Sequence, residues 1–153
     1  MGEPLRVKQA SDLGQFLHQP LGPTAWRQVG QDTINAFAAL TNDLQWIHVD
    51  SSRAAHELTS GRTIVPGHLL LALLPSLIRE TYLVAQAQSG WLAALRYVRF
   101  RQAIACDAPF RLCGHLLDVS QRGLTTFAEM QCELVLPDQT VALEANRVDA
   151  FRS

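Results

Sequence analysis

A carboxylate and an imidazole stand five residues apart in the stretch Phe37-Ala-Ala-Leu-Thr41-Asn-Asp43-Leu-Gln45-Trp46-Ile-His48-Val-Asp50. An apolar helical run leads into a short irregular loop that carries both. Fixed on one loop, Asp43 and His48 can grip and activate one water molecule between them. Proton transfer by a positioned His and carboxylate is general acid–base chemistry, and an imidazole changes charge near neutral pH. Asp50 follows close behind, but ligand type without geometry does not define a metal site, and none is expected.

The elements that must hold this loop follow from pattern. Residues 7–18 read as a short helix, and 23–29 as an extended entry. Asp32 is placed to cap a helix running through Thr41, since Asp accepts from free first-turn N–H groups. Ile34, Phe37, Ala38 and Thr41 share one face of it. Ser51 or Ser52 starts a second short helix through Glu57, and Gly61 to Ile64 is a loop. From Pro66 a long helix is predicted over 66–88, apolar nearly all round and therefore buried on most faces. Pro75 should kink it.

After Gly90 the period changes to two. Val98 and Phe100 alternate with Arg99 and Arg101; Phe110, Leu112, Gly114 and Leu116 share a face, as do Ala128, Met130, Cys132 and Leu134, and then Val141, Leu143 and Ala145. Pro109, Gly123 and Pro137-Asp138 punctuate them. Helices first and consecutive antiparallel strands after make an α+β layout, in which a sheet can wrap one greasy helix.

Composition narrows the classes. The chain has 153 residues, 48% of them apolar, with formal net charge −1, enough for one sizeable core. Lys and Arg do not cluster, which argues against a nucleic-acid partner. The longest apolar run, Leu69 to Leu74, is too short to span a bilayer, which needs about 20 residues, and the first twenty residues lack the apolar core of a signal peptide. Cys106, Cys113 and Cys132 form no CxxC pair and read as reduced strand residues of a cytoplasmic protein.

The stretch Thr41–Asp50, then Arg53-Ala-Ala, then Gly61-Arg-Thr-Ile-Val-Pro-Gly67, resembles the MaoC-like dehydratases, which include the (R)-specific enoyl-CoA hydratases. Gln45-Trp46-Ile-His48 is closest to their nodulation protein N-like branch. Arg96-Tyr-Val-Arg-Phe100 and Ala108-Pro-Phe-Arg111 also resemble that family's strand region. The similarity covers roughly residues 20–150. It implies one hot-dog domain over 1–153, with 1–19 as an N-terminal extension, dimerising by joining two sheets into a homodimer or a dimer of dimers. It implies a hydro-lyase of fatty acid metabolism without cofactor or metal, whose substrate is carried on coenzyme A or acyl carrier protein. Asp43 and His48 would hold the water that adds across C2–C3 of a trans-2-enoyl thioester, giving a (3R)-hydroxyacyl product, or that leaves in reverse. Asp43 ranks first as base, with His48 orienting the water and returning the proton; the roles can be swapped, because coupled groups share their titration. Gly67 matches the family glycine whose N–H stabilises the enolate oxygen. Gln45 and Trp46 support the loop, Trp46 as a packing anchor.

The pattern departs in places. Asn42 stands at a usual Gly, and Asn tolerates left-handed geometry. Pro66 stands at a usual His, and His68 comes one position after Gly67. One residue turns a helical side chain by about 100°, so His68 does not inherit that role. Two other readings stand beside the hydratase: a hot-dog thioesterase, whose first acid on the central helix would be Glu80, and a non-catalytic acyl-thioester binder.

Overall fold

Residues 3–152 are described by the computed structural model. In chain order they form β1 (Leu5–Val7), a 3-10 segment (Ala10–Phe16), β2 (Pro20–Leu21), α1 (Gln31–Thr41), α2 (Trp46–Val49), α3 (Ser51–Glu57) and α4 (Gly67–Ile78). Then come β3 (Tyr82–Val84), β4 (Ser89–Phe100), β5 (Arg111–Arg122), β6 (Thr125–Val135) and β7 (Val141–Arg152).

The long strands build a five-stranded antiparallel sheet in the order β2-β5-β6-β7-β4, while β1 and β3 pair in parallel beside it. The period-two faces of β5, β6 and β7 do what their spacing predicts. Leu112 and Leu116 of β5, Ala128, Met130, Cys132 and Leu134 of β6, and Leu143 and Ala145 of β7 are buried. Against them lie Leu69, Leu70, Leu74, Leu77 and Ile78 of α4, in one hydrophobic cluster. This is the hot-dog arrangement, a sheet curved around a central helix. Gly114 lets β5 and β6 approach closely, since a Cβ there would collide with the Gln131 carbonyl oxygen. The N-terminal segment is tied in through buried Val7, Ala10 and Leu13.

Four local expectations are corrected. Gly30, not Asp32, is the N-cap of α1; Asp32 sits inside the first turn, where the helix dipole still favours an acid. The central helix stops at Ile78 instead of running to residue 88. Leu5 N–H donates to the Thr81 carbonyl at 2.9 Å, and pairing with β1 turns Tyr82–Val84 into a strand. Non-local pairing here overrides a helical pattern. Val98 and Phe100 do not face a core: they are 37% and 50% exposed, and both faces of β4 are open, because it is the sheet's edge. Cys106 lies in a turn, not a strand, while Cys113 and Cys132 are on β5 and β6; all three thiols are free. Burial pushes the Cys132 thiol pKa up to about 12, which keeps it protonated and unreactive. Among the described residues no helix is long and apolar enough to cross a membrane.

Candidate active site

The bend that carries Asp43 is set by the end of α1. Asn42 takes the left-handed conformation, with φ 57°, and the Asp43 N–H reaches back 3.1 Å to the Ala38 carbonyl. Such a left-handed residue closes a helix by satisfying its last carbonyls, and Asn bears the conformation at little cost. Asp43 leaves the helix half-buried, its Oδ1 accepting from Gln45 Nε2 at 3.1 Å.

The chain beyond Gln45 is more ordered than an irregular loop. Residues 46–49 make one helical turn, and the Asp50 carboxylate caps α3 by accepting from Arg53 N–H at 2.9 Å. Asp50 is thereby given to the helix end, where a side-chain acceptor satisfies an orphan donor. The Arg53 guanidinium lies 4.1 Å from the centre of the Trp46 ring, a cation–π contact that pins the turn to α3. Trp46 is thus a packing anchor.

His48 is buried, with 7% exposure, and its Nδ1 stands 2.7 Å from the Ile64 carbonyl oxygen. A carbonyl only accepts, so Nδ1 carries the hydrogen, and the lone pair of the neutral ring is on Nε2. The backbone beneath is held as firmly. Gln31 Nε2 donates to the His48 carbonyl at 2.7 Å and to Asn35 Oδ1 at 2.9 Å, while its Oε1 accepts from the Thr63 hydroxyl at 2.5 Å. Gln31, Thr63 and Ile64 were not legible as site residues. The first two are polar residues of common type, and the third acts through a backbone oxygen that every residue possesses.

Gly67 opens α4. Its N-cap, Pro66, offers no side-chain hydrogen bond and its carbonyl takes the Leu69 N–H, so the Gly67 and His68 N–H groups and the positive end of the dipole are left for another acceptor. Ile64, Val65, Gly67, Leu70 and Phe100 wall a cavity of about 220 Å³ at this point. A Cβ on residue 67 would come within 2.7 Å of Phe100 Cε1; only glycine allows that ring to lie over the helix start. His68 is exposed at the first turn of α4 while Pro66 is buried, as the one-residue shift requires.

The structure therefore joins Asp43 to Gln45 directly, and His48 to the wall of the Gly67 cavity through Ile64. Among the described residues no hydrogen bond links Asp43 with His48, and no group of three or more His, Cys, Asp or Glu side chains gathers as a metal site would require. Glu80 lies beyond the end of α4, paired with Arg27 and accepting from Ala25 N–H at 3.3 Å. It clasps the N-terminal segment and lines none of the Gly67 cavity.

Residues 12–105 match the profile described as MaoC like domain. A 3-hydroxyacyl-thioester dehydratase Z of Mycobacterium tuberculosis (strain ATCC 25618 / H37Rv) is 34% identical over 116 residues, 76% of either chain. Nodulation protein N of Rhizobium meliloti (strain 1021) is 47% identical over 64 residues, 42% of this chain and 40% of that one. Among solved structures, an (R)-hydratase from A. caviae involved in PHA biosynthesis superposes with a TM-score of 0.68 at 17% identity, covering 87% of this chain and 94% of the other.

Proposed function

This chain belongs to the MaoC-like domain family, and from that premise we propose that it is a hydro-lyase of acyl thioesters, interconverting trans-2-enoyl and (3R)-hydroxyacyl forms. The observation that carries the reading is the buried His48, on the same bend as Asp43, its tautomer set by the carbonyl of Ile64, a residue that walls the cavity at Gly67. In hydration, Nε2 takes a proton from water as the oxygen bonds to C3. The C2–C3 π pair moves toward the thioester carbonyl, whose oxygen is stabilised by the Gly67 N–H and the helix dipole. The proton then returns to C2, and the ring is neutral again. Asp43, oriented by Gln45, accepts a hydrogen bond from the water's second O–H, which stays on the oxygen as the 3-hydroxyl. The fixed tautomer favours His48 over Asp43 as base, the reverse of the order read from sequence. Water and proton balance, so the reaction needs no cofactor.

The substrate is carried on coenzyme A or acyl carrier protein in this reading. A thioesterase reading loses its acid, because Glu80 is engaged with Arg27 away from the cavity. The test is the absorbance of the enoyl-thioester band with crotonyl to dodecenoyl substrates. Decay of that band with formation of the (3R) product is expected; saturable binding with no decay at any length would favour the non-catalytic binder instead.

A homodimer suits the same reading. The edge strand β4 exposes Trp91, Leu92, Leu95, Tyr97, Val98 and Phe100 along twelve residues, and a long apolar edge of this kind invites strand pairing with a second copy. Sedimentation should give twice the 16.9 kDa chain mass; a monomer at micromolar concentration would refute the pairing. Free cysteines, two of them buried, suit a reducing cytoplasm.

A further inference from the structure

One carboxamide joins the segments that meet at the bend. Gln31 opens α1, and its half-buried side chain reaches the junction of α2 with α3 and the loop 61–66. A carboxamide has two N–H donors and two acceptor lone pairs, and here each meets a partner. Nε2 donates to the His48 carbonyl at 2.7 Å and to Asn35 Oδ1 at 2.9 Å. Oε1 accepts from the Thr63 hydroxyl at 2.5 Å and from the Ser51 hydroxyl at a longer 3.4 Å. A carbonyl only accepts, so the amide nitrogen must be the end that faces His48.

These bonds close a circuit. It runs from Gln31 through the His48 peptide to the imidazole, from Nδ1 to the Ile64 carbonyl, and back through the adjoining Thr63 to Oε1. The part of the chain that carries the imidazole needs such support, because α2 is one turn of four residues, too short to hold its own direction. Besides the imidazole bond, the Ile64 N–H ties it to the loop by donating to the Ile47 carbonyl at 2.9 Å. Thr63 is 1% exposed, and a buried hydroxyl that loses its partner is costly. Three residues past Ile64 comes Gly67, so the amide that holds the His48 peptide also holds the approach to the Gly67 N–H. Neither Gln31 nor Thr63 lines the cavity there.

We infer that Gln31, acting through the His48 carbonyl and the Thr63 hydroxyl, is a positioning residue that sets where the imidazole stands relative to the Gly67 N–H without touching the substrate. Its effect on turnover rests on the hydratase reading; its effect on the imidazole does not.

Four variants of the full chain test it. Gln31→Met keeps the side chain's length and removes all four bonds. Thr63→Val keeps the shape and removes the hydroxyl, and Thr63→Ser retains the hydroxyl. Thr81→Val is the remote control: it deletes another buried hydroxyl, one that donates to the Ile78 carbonyl at 2.8 Å beyond the end of α4. Gln31→Met and Thr63→Val are expected to lower kcat for enoyl-thioester hydration by about 10–10²-fold, as a small misplacement of a reacting group does, with KM nearly unchanged because no substrate contact is lost. Thr63→Ser should stay close to the parent, and Thr81→Val should lower the urea midpoint while leaving kcat alone. Imidazole nitrogen resonances in mildly alkaline buffer should report hydrogen on Nδ1 of His48 in the parent and in Thr63→Ser, and a mixture of tautomers in Gln31→Met and Thr63→Val. Parental kcat in folded Gln31→Met, a raised KM in place of a lowered kcat, a Thr63→Ser as slow as Thr63→Val, or an unchanged tautomer in Gln31→Met and Thr63→Val would overturn the assignment. If Gln31→Met does not fold, the Thr63 pair decides by the same readouts. A parent without turnover would remove the hydratase reading, and the nitrogen spectra would still decide this one.

Discussion

Asp43→Asn is expected to lower kcat for enoyl-thioester hydration by about 10²–10⁴-fold, the usual weight of a positioned acid–base group. The fold should survive, because the amide oxygen of the substituted side chain still accepts from Gln45 Nε2, the one side-chain hydrogen bond the carboxylate makes among the described residues. The closing of α1 through Asn42 and Ala38 is backbone and unaffected. His48→Asn is the matching variant. Its amide can donate to the Ile64 carbonyl as Nδ1 does, but it brings no basic nitrogen to the Nε2 position. A loss of similar size is expected, and the double variant should fall little further, since groups acting on one water are not additive. Circular dichroism and stopped-flow hydration measured together decide it. Full activity in Asp43→Asn with an intact fold would remove the dyad from the mechanism.

The largest stability effect is expected from Phe110→Ala. Phe110 is fully buried where residues 104–112 pass beneath the N-terminal segment, bonded through its backbone to Arg27 at 2.7 and 2.9 Å. Truncation leaves a cavity that the sheet cannot close, at a cost of about 3–5 kcal/mol. For a domain of this length that lowers Tm by roughly 6–20 °C. Leu40→Ala is the control: Leu40 is 84% exposed, and its loss should change stability by less than about 0.5 kcal/mol. Comparable destabilisation by the two, read from urea midpoints, would contradict the burial described for Phe110.

The sheet and its buried faces were legible because period two reports a half-buried strand directly, as Ala128, Met130, Cys132 and Leu134 illustrate. The family motif likewise pointed to Asp43, His48 and Gly67. What escaped depends on partners distant in the chain. The end of α4 is decided by β1, more than seventy residues earlier, and the open faces of β4 by its place at the edge. The tautomer of His48 depends on the carbonyl of Ile64, which no side-chain pattern reveals. Gln31 is similar: its side chain joins α1, the His48 backbone and Thr63, yet by type and spacing it is an ordinary first-turn residue.

The loop 61–66 is stitched to residues 104–106, through Val65 N–H to the Ile104 carbonyl at 2.8 Å and Cys106 N–H to the Thr63 carbonyl at 2.7 Å. Asp43 and His48 are therefore made about sixty residues before the backbone that braces the loop beside them. The edge strand β4 likewise waits for β7, about fifty residues later. A nascent chain that has passed Gly67 but not residues 104–106 carries Asp43 and His48 with their local contacts yet without the brace on the loop that holds Ile64, so the bend gains its full support only after those later residues are made.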